Sequence, residues 1–219
     1  MQWRLLSGLD EADRERVLGA TRKRSYARRE VLFHEGDPGD TLHLLVSGRV
    51  AVRVTTPQGD VATLAVLGPG DAFGELALLR RSATRTATVV ALEPVSTLTL
   101  HKDEFDTLSK QHPQVNRVLV GVLAARVERL SAHLVESLYL PADRRVLRRL
   151  LEVCRLYAEE PAGTRIVVPL TQEDLSGLAG TTRPTVNLVL RRLEEQGALA
   201  LSRGKIEVLD LAVLRQAAL

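Results

Sequence analysis

From about residue 25 to residue 100, the chain alternates short apolar segments with turn signals. The segments "LHLLV", "VAVRV" and "VATLAVL" alternate apolar and polar positions, and turns such as "GDPGD" and "PQGD" separate them. A β-branched segment, "TATVVALEPVSTLTL", follows. Several short strands at this spacing predict an antiparallel roll or jelly roll that ends near Leu100, instead of a βαβ sheet.

Helical spacing flanks this region on both sides. The first ~25 residues carry a broken apolar stripe, and a second segment of roughly 25 residues begins after Pro113, which suits a first helical turn. The stripe of this long helix consists of Val115, Leu119, Val122, Leu130, Leu134 and Leu138, and Arg126, Glu128 and Arg129 interrupt it. The helix either lies across the roll as a core helix or pairs with a second copy. We favour the pair, because twofold homodimers are the commonest oligomers.

Beyond Pro141, which breaks the long helix, the pattern is that of a winged helix-turn-helix. An amphipathic segment, "RRVLRRLLEVCRLYAEE", precedes two shorter helical segments joined by a glycine-containing turn, and Gly204 marks the turn of a final hairpin. This order of elements is typical of a DNA-binding module. The whole chain is therefore predicted to be α+β, with a β-roll, a long helix and a winged helix-turn-helix.

The ends of the two shorter helices are specified by local signals. Thr171 is placed to cap the first helix, with Asp174 three residues later as its capping-box partner. Gly180 permits the sharp turn, Thr182 is placed to cap the second helix, and Pro184 falls in that helix's first turn, where proline is tolerated. These signals predict both helices and the turn between them.

The second of these helices has one apolar and one polar face. Its predicted buried residues are Val186, Val189, Leu190 and Leu193, and the polar candidates for DNA contact are Arg183, Thr185, Asn187 and Arg191, together with the caps Thr171 and Thr182. Arg183 is suited to reading a guanine bidentately, while Thr182 and Thr185 suit phosphate contacts. The alternative is that the two helices pack for structural reasons only.

Composition narrows the class of protein without deciding it. The net charge of +3 and the pI of about 9.3 permit nucleic-acid binding, but only the motif argues for it. Cys154 is the single cysteine, which excludes an internal disulfide, and it lies among apolar residues at helical spacing, so we expect it in the core. The sequence has neither a bilayer-length apolar run nor a secretory signal, and the expected location is the cytoplasm.

The segment "FGELALLRRSATRTATVVAL", residues 73–92 and called the cassette below, contains the candidate ligand chemistry. Glu75 follows a glycine, and Arg85 follows a hydrophobic run and a polar turn. A carboxylate accepts hydrogen bonds from hydroxyl donors, and an arginine fork suits a phosphate. The two residues either face a common ligand or form an ordinary surface ion pair.

At this point the sequence resembles the Crp/Fnr family of bacterial transcription regulators, and within it the cyclic-AMP receptor proteins. Three features carry the resemblance: "LFHEGDPGDTLHLLVSGRVAV", the cassette, and "LTQEDLSGLAGTTRPTVNLVLRRLEEQGAL". The family implies a β-roll that binds a cyclic nucleotide, a dimer helix, a hinge and a winged helix-turn-helix. By resemblance, Glu75 accepts from the ribose 2′-hydroxyl, Arg85 pairs with the cyclic phosphate and Thr86 is a neighbouring donor. Gly74, Leu76 and Ala77 begin a short helix whose N–H groups face that phosphate.

Two regions depart from the family pattern. The cyclic-AMP receptors present a Thr-Ser pair to the adenine, and the matching positions here are Leu130 and Ser131, the serine coming from the partner subunit. One hydrogen bond to the base, worth about 0.5–1.5 kcal/mol, is therefore lost. In the recognition helix Arg183 is kept, but Pro184 replaces a glutamate and Leu188 replaces a basic residue. The usual operator of the family is therefore not expected.

Other branches and classes fit the sequence less well. The iron–sulfur branch needs several cysteines, and the haem branch needs axial ligands, for which the five histidines show no distinctive pairing. These are His34, His43, His101, His112 and His133. A ligand-independent regulator with a vestigial pocket stays open because of Leu130. An enzyme acting on cyclic nucleotides would need metal ligands or a poised base, and no His/Asp cluster is visible.

The resulting hypothesis is a homodimeric regulator that is not an enzyme. Its predicted domains are 1–112 (nucleotide-binding roll), 113–138 (dimer helix) and 139–219 (DNA-binding domain). The expected ligand is cAMP acting allosterically, without metal, haem or iron–sulfur cluster. The expected partners are a palindromic DNA operator, a second copy of the chain and RNA polymerase.

Overall fold

Two antiparallel β-sheets form most of the N-terminal half of the computed structural model, which describes residues 6, 9–79, 84–158 and 165–218. Their strands are β1 (Arg22–Tyr26), β2 (Val31–Phe33), β3 (Thr41–Ser47), β4 (Val50–Thr55), β5 (Val61–Leu67), β6 (Ala72–Phe73), β7 (Thr88–Ala91) and β8 (Val95–His101). The strand orders are β1-β8-β3-β6 and β2-β7-β4-β5, and the pairs with a defined register are antiparallel. The predicted β-roll is confirmed.

Helices pack against this roll. They are α1 (Glu11–Gly19), α2 (Leu76–Leu79), α3 (Lys102–Gln111) and α4 (Asn116–Tyr139), with a 3-10 turn at Pro113–Val115. Their apolar side chains share a core with β3 and β8, formed by Leu6, Val17, Leu42, Leu44, Leu78, Leu100, Phe105, Val115, Val118 and Leu119. Removing these side chains from water is the main favourable term for this half of the chain.

The prediction that the first ~25 residues are helical is wrong at its C-terminal end. Helix α1 ends at Gly19, and Arg22–Tyr26 form strand β1, paired with β8. β1 lies at the edge of its sheet and most of its side chains are exposed, so it lacks the apolar alternation that marks a buried strand. Residues 1–5 and 7–8, and the predicted polar turn at 80–83, lie outside the described ranges.

The C-terminal half has the predicted helices and hairpin. Its elements are α5 (Ala142–Tyr157), β9 (Ile166–Val168), α6 (Gln172–Ala179), α7 (Arg183–Glu195), β10 (Leu199–Ser202), β11 (Lys205–Val208) and α8 (Leu211–Ala217). β10 and β11 pair across the turn at Gly204, and β9 adds a third strand. Cys154 of α5 is buried as expected, and burial raises the pKa of its thiol to about 12.

The chain divides into two compact units. One comprises Met1–Val54 with Leu67–Ser131, and the other comprises Thr55–Val66 with Ala132–Leu219. Within the second unit, the hydroxyl of Thr63 donates to Oδ1 of Asp174 at 2.8 Å, and both side chains are buried. A Cβ added at Gly177, one turn along α6, would lie 2.5 Å from the backbone nitrogen of Thr63. The segment that contains Thr63 therefore packs closely against α6.

This close packing gives a stability prediction for Gly177→Ala. Alanine normally stabilises a helix interior by about 1 kcal/mol relative to glycine. At Gly177 the new methyl group meets backbone atoms of Thr63, and we expect a net destabilisation of about 1–3 kcal/mol. Gly121→Ala in α4 is the matched control, because nothing lies within 4 Å of its added Cβ. Thermal unfolding of both variants checks this, and a Gly177→Ala variant as stable as Gly121→Ala would contradict it.

Candidate functional site

The cassette leaves β6 through Gly74 and enters α2 two residues later. Gly74 has a φ of +80°, a conformation that favours glycine. An added Cβ there would lie 2.6 Å from Nη1 of Arg85 and 2.8 Å from the carbonyl oxygen of Thr41. A side chain at position 74 would therefore displace Arg85. The missing side chain lets the guanidinium lie against the backbone at the start of the cassette.

Glu75 is a buried carboxylate with a charged partner. Its side chain is 1% exposed, and Nη1 of Arg126 on α4 donates to its Oε1 at 2.5 Å. A buried carboxylate needs such a partner, because desolvation without one is costly. In the sequence, Arg126 stands out only because it interrupts the apolar stripe of the long helix. A charged residue within an apolar stripe is the one sequence signal that could have pointed to its contact with Glu75.

Arg85 is also buried, at 7% exposure, and is held on several sides. Its Nη1 donates to the carbonyl oxygen of Thr41 at 2.8 Å and to that of Gly74 at 3.4 Å, while Nη2 donates to the Thr41 hydroxyl at 2.6 Å. The ring of Phe33 stacks on the guanidinium, 4.1 Å from Cζ to the ring centroid. Burial lowers the pKa of Arg85, and the carboxylates of Asp40, Asp37 and Glu75 oppose this shift.

Glu75 and Arg85 are therefore not a surface ion pair, and that alternative is wrong. Both side chains are buried, and the hydrogen bonds described for each of them go to other partners. They are close enough for the Glu75 carboxylate to act on the pKa of Arg85. The two groups present opposite charges within one region, each held by its own contacts.

A polar cavity of about 230 Å³ lies beside Arg85. Thr41 and His43 line it together with Asp37 and Asp40. The His43 ring is buried and stacks on Phe73 at a centroid distance of 5.0 Å. Burial, followed by the charges of Arg85, Arg24 and His101, lowers the pKa of His43 to about 3. This histidine is therefore neutral at physiological pH.

The other predicted nucleotide-binding residues lie at two places. Leu76 and Ala77 begin α2, directly after Glu75, and Leu76 is half-buried. Thr86 follows Arg85 and is exposed. Leu130 and Ser131 lie on α4, one turn beyond Arg126, and both are exposed, Leu130 at 60%. Within the cassette, the fold thus brings Gly74, Glu75 and Arg85 close to one another.

In the helix-turn-helix the predicted caps are confirmed. Thr171 and Asp174 form a capping box at the start of α6, Gly180 adopts the left-handed conformation at its end, and Thr182 caps α7. The predicted apolar face of α7 is buried, consisting of Val186, Val189, Leu190 and Leu193. This packing sets the direction in which the opposite face of α7 points.

The candidate DNA-contacting side chains lie on that opposite face. Arg183 and Asn187 are exposed, and Thr185 is partly exposed. Some are held by neighbours: Gln172 donates to Asn187 Oδ1 at 3.2 Å, and Arg191 pairs with Glu194 at 2.7 Å. The hydroxyls of Thr182 and Thr185 lie 3.0 Å apart, and Thr171 is engaged in its capping box.

Arg145 of α5 joins the ends of two helices within the second unit. Its guanidinium donates to the carbonyl oxygens of Leu140, Ala179 and Gly180 at 2.8, 2.9 and 2.9 Å. Leu140 follows the end of α4, and Gly180 lies in the turn before α7. A helix C-terminus carries unpaired carbonyls and a partial negative charge, both of which suit an arginine. Arg145 therefore ties the residue after α4 to the turn of the helix-turn-helix.

Across the described ranges, no set of three or more His, Cys, Asp or Glu side chains is grouped so that it could hold a metal ion. No helix in the part of the chain that the structure covers is long and apolar enough to cross a membrane.

Comparison with known proteins identifies both halves of the chain. Residues 23–112 match the family model of the cyclic nucleotide-binding domain, and residues 144–217 match that of the Crp-like helix-turn-helix domain. The chain is 33% identical to the cyclic AMP receptor protein of Thermus thermophilus over 98% of this chain and 96% of that protein. It is 28% identical to a CRP-like cAMP-activated global transcriptional regulator of Mycobacterium tuberculosis, over 84% of this chain and 83% of that one.

Solved structures agree with these relatives. The catabolite activator protein of Thermus thermophilus superposes with a TM-score of 0.56 at 33% identity, covering 98% of both chains. A CRP-family transcriptional regulator of the same species gives a TM-score of 0.72 at 27% identity, over 89% of this chain and 96% of that one. A cyclic-nucleotide-binding domain is thus joined to a DNA-binding helix-turn-helix domain. The chain belongs to the Crp/Fnr family of transcription regulators, which are not enzymes.

The buried imidazole gives a prediction about pH. The pKa of His43 is 6.5 in the unfolded chain and about 3 in the folded chain. Between these two values only the unfolded chain binds a proton at His43, so the stability of the fold decreases as the pH falls through this window. At about 1.4 kcal/mol per pH unit, this group makes the chain about 2 kcal/mol less stable at pH 5 than at pH 7.

We expect His43→Gln to lose that part of the pH dependence, because an amide stays neutral. Urea unfolding of wild type and variant at pH 7, 6 and 5 measures it. His34→Gln, which removes an exposed imidazole, is the control. A His43→Gln variant with the same slope as wild type would show that His43 does not resist protonation.

Proposed function

We propose that this family member is a homodimeric transcription regulator that binds cAMP at the cassette and a palindromic operator through α7. The observation that supports nucleotide binding is the pair of buried charged side chains, Glu75 and Arg85. They lie beside Gly74, whose missing side chain leaves room for the guanidinium. We keep the predicted division into a nucleotide-binding roll (1–112), a dimer helix (113–138) and a DNA-binding domain (139–219). The expected location is the cytoplasm.

The chemistry of the cassette suits a ribose and a cyclic phosphate. Arg85 supplies a cation for the single negative charge of the phosphodiester, and the N–H groups of Leu76 and Ala77 supply further donors. Thr86 is exposed, and its hydroxyl would donate to the same phosphate. Glu75 accepts from the ribose 2′-hydroxyl, because a carboxylate has acceptors only. Arg126 donates a hydrogen bond to Glu75 and thereby orients that carboxylate.

Recognition of the base rests on α4. Leu130 offers an apolar surface where cyclic-AMP receptors offer a hydroxyl, and Ser131 of the partner subunit supplies the remaining hydrogen bond. The relatives support cAMP as the ligand, since the Thermus thermophilus protein is a cyclic AMP receptor protein and the Mycobacterium tuberculosis protein is a cAMP-activated regulator. The site residues and the ligand are our assignment by this resemblance.

The dimer proposal rests on the exposed apolar face of α4. Val120, Val127, Leu134 and Leu138 are each at least 59% exposed, and with Leu130 they repeat at helical spacing. The first turns of α4, at Val118 and Leu119, are buried in the chain's own core. A continuous apolar stripe of this length on a 24-residue helix fits the same stripe of a second copy.

The proposed coupling runs through the end of α4. A change in the packing of two α4 helices would shift the hinge at Leu140, and Arg145 would pass that shift to the turn at Gly180. Glu136 on α4 also pairs with the buried Arg149 of α5. The dimer would place two α7 helices about 34 Å apart, one turn of DNA, with RNA polymerase as the further partner.

At the operator, side chains at the exposed N-terminal end of α7 would contact the bases. Arg183 reads a guanine in the major groove, and Asn187 lies one turn further along the same face. Thr171, Thr182 and Thr185 would contact phosphates, which position the helix without specifying sequence. Arg191 would leave Glu194 to contact the DNA.

One test of this proposal concerns the coupling between nucleotide binding and DNA binding. We expect cAMP to raise the affinity for an operator selected from a randomised pool by about 5- to 150-fold, because allosteric couplings are typically 1–3 kcal/mol. Fluorescence anisotropy of the full-length protein without ligand, with cAMP and with cGMP measures this factor. Arg85→Ala should abolish the gain, and Arg28→Ala, which removes an exposed cation of the same roll, should retain it.

Isothermal titration separates the two ways in which this can fail. If wild type binds cAMP but the operator affinity does not change, the allosteric part of the proposal is wrong. If wild type binds neither cAMP nor cGMP, the result supports the ligand-independent regulator. That second candidate is favoured by one observation, Leu130 in place of a hydroxyl.

Another test of this proposal concerns the dimer. Leu134→Glu places a charge in the middle of the proposed seam, and we expect it to shift the protein from dimer to monomer in sedimentation velocity. Ala125→Glu is the control, because position 125 is exposed on the opposite side of α4. A wild type that sediments as a monomer, or a Leu134→Glu variant that stays dimeric, contradicts the α4 seam.

A further inference from the structure

Thr41 contacts Arg85 through two different oxygens. Its carbonyl accepts from Nη1 at 2.8 Å, and its hydroxyl accepts from Nη2 at 2.6 Å. One residue thus occupies the outer edge of the guanidinium, which presents two parallel N–H groups. Nothing in the sequence singles out Thr41, which stands 44 positions from Arg85 and begins the unremarkable strand β3.

The donors of Arg85 can be counted against these contacts. Of its five N–H groups, two on Nη1 and one on Nη2 face Thr41 and Gly74. Nε and the second Nη2 hydrogen form the other edge of the guanidinium. Nε is buried and has no hydrogen-bond partner among the described residues. An unpaired buried donor is unfavourable, and an anionic oxygen at this edge would relieve it.

The Thr41 hydroxyl is itself fixed by a neighbour. His43 Nε2 lies 3.3 Å from Thr41 Oγ1, two residues along the same strand and therefore on the same face of the sheet. Since the hydroxyl accepts from Arg85, its own hydrogen is available to the neutral imidazole. Phe73 holds that imidazole by stacking on it. The order of contacts is Phe73, His43, Thr41 and Arg85.

We propose that Thr41 is a positioning residue for Arg85, and that its hydroxyl, held by His43, fixes the guanidinium so that the Nε–Nη2 edge is presented to a cyclic phosphate. This proposal rests on the function proposed above. It adds a residue that would not touch the ligand and would act only through the orientation of Arg85.

The test is a pair of substitutions in the full-length protein. Thr41→Val keeps the shape and removes the hydroxyl, and Thr41→Ser keeps the hydroxyl. We expect Thr41→Val to weaken cAMP binding in isothermal titration by roughly five- to tenfold, the loss typical of one hydrogen bond, and Thr41→Ser to stay within about twofold of wild type. Equal loss in both variants would overturn the proposal.

A second readout separates orientation from general damage. In the two phosphorothioate diastereomers of cAMP, sulfur replaces one or the other exocyclic oxygen, so the ratio of their dissociation constants reports how the guanidinium faces the phosphate. We expect Thr41→Val to change this ratio and Thr41→Ser to preserve it. A loss of affinity that is equal for cAMP and both diastereomers would mean a structural role only, and would overturn the proposal.

Two controls keep the outcomes distinct. If Thr41→Val does not fold, His43→Phe removes the imidazole nitrogen that lies beside the Thr41 hydroxyl, and the same diastereomer ratio should change in that variant. A wild type that binds neither cAMP nor cGMP contradicts the proposed function and this proposal with it. A wild type that binds cAMP, with unchanged affinity and ratio in Thr41→Val, contradicts this proposal alone.

Discussion

The guanidinium of Arg85 lies almost wholly out of water, and several elements of the N-terminal unit supply the contacts that this requires. A buried charge is tolerated only where hydrogen bonds replace its hydration. Thr41 supplies two acceptors, Phe33 supplies a ring face, and Gly74 supplies room. The pKa of Arg85 is nevertheless lowered, because burial removes part of the hydration that stabilises the charged guanidinium. Its partners come from β2, β3 and the cassette, so one side chain ties together both sheets of the roll.

The buried carboxylate of Glu75 connects this region to α4. Arg85 is engaged by Thr41, and the direct partner of Glu75 is Arg126, which comes from a different element. An uncompensated buried charge is strongly unfavourable, so Glu75 and Arg126 constrain one another. The same helix is buried at its first turns and apolar but exposed further along. The cassette is thereby linked to the helix that carries the proposed dimer seam.

How much the sequence could predict depended on how local each interaction is. The capping box of Thr171 and Asp174 and the left-handed Gly180 are determined within a few residues, and the pattern predicted them correctly. Strand β1 was missed, because an exposed edge strand carries no apolar alternation. The contacts of Arg85 with Thr41 and of Arg126 with Glu75 join residues 44 and 51 positions apart. No single-sequence pattern specifies such pairs, although a charge inside an apolar stripe, as at Arg126, is a partial signal.

The two ends of the proposed ligand site differ in how much energy each can supply. At the phosphate end, contacts are charge-assisted and lie in a buried setting, where hydrogen bonds are worth about 1.5–3 kcal/mol each. At the base end, Leu130 would remove one neutral hydrogen bond of about 0.5–1.5 kcal/mol and would add an apolar surface that any purine can contact. The substitution is thus small beside the contacts with the phosphate and ribose. Under the proposed function, Leu130 weakens the choice among purines more than it weakens binding of the cyclic nucleotide itself.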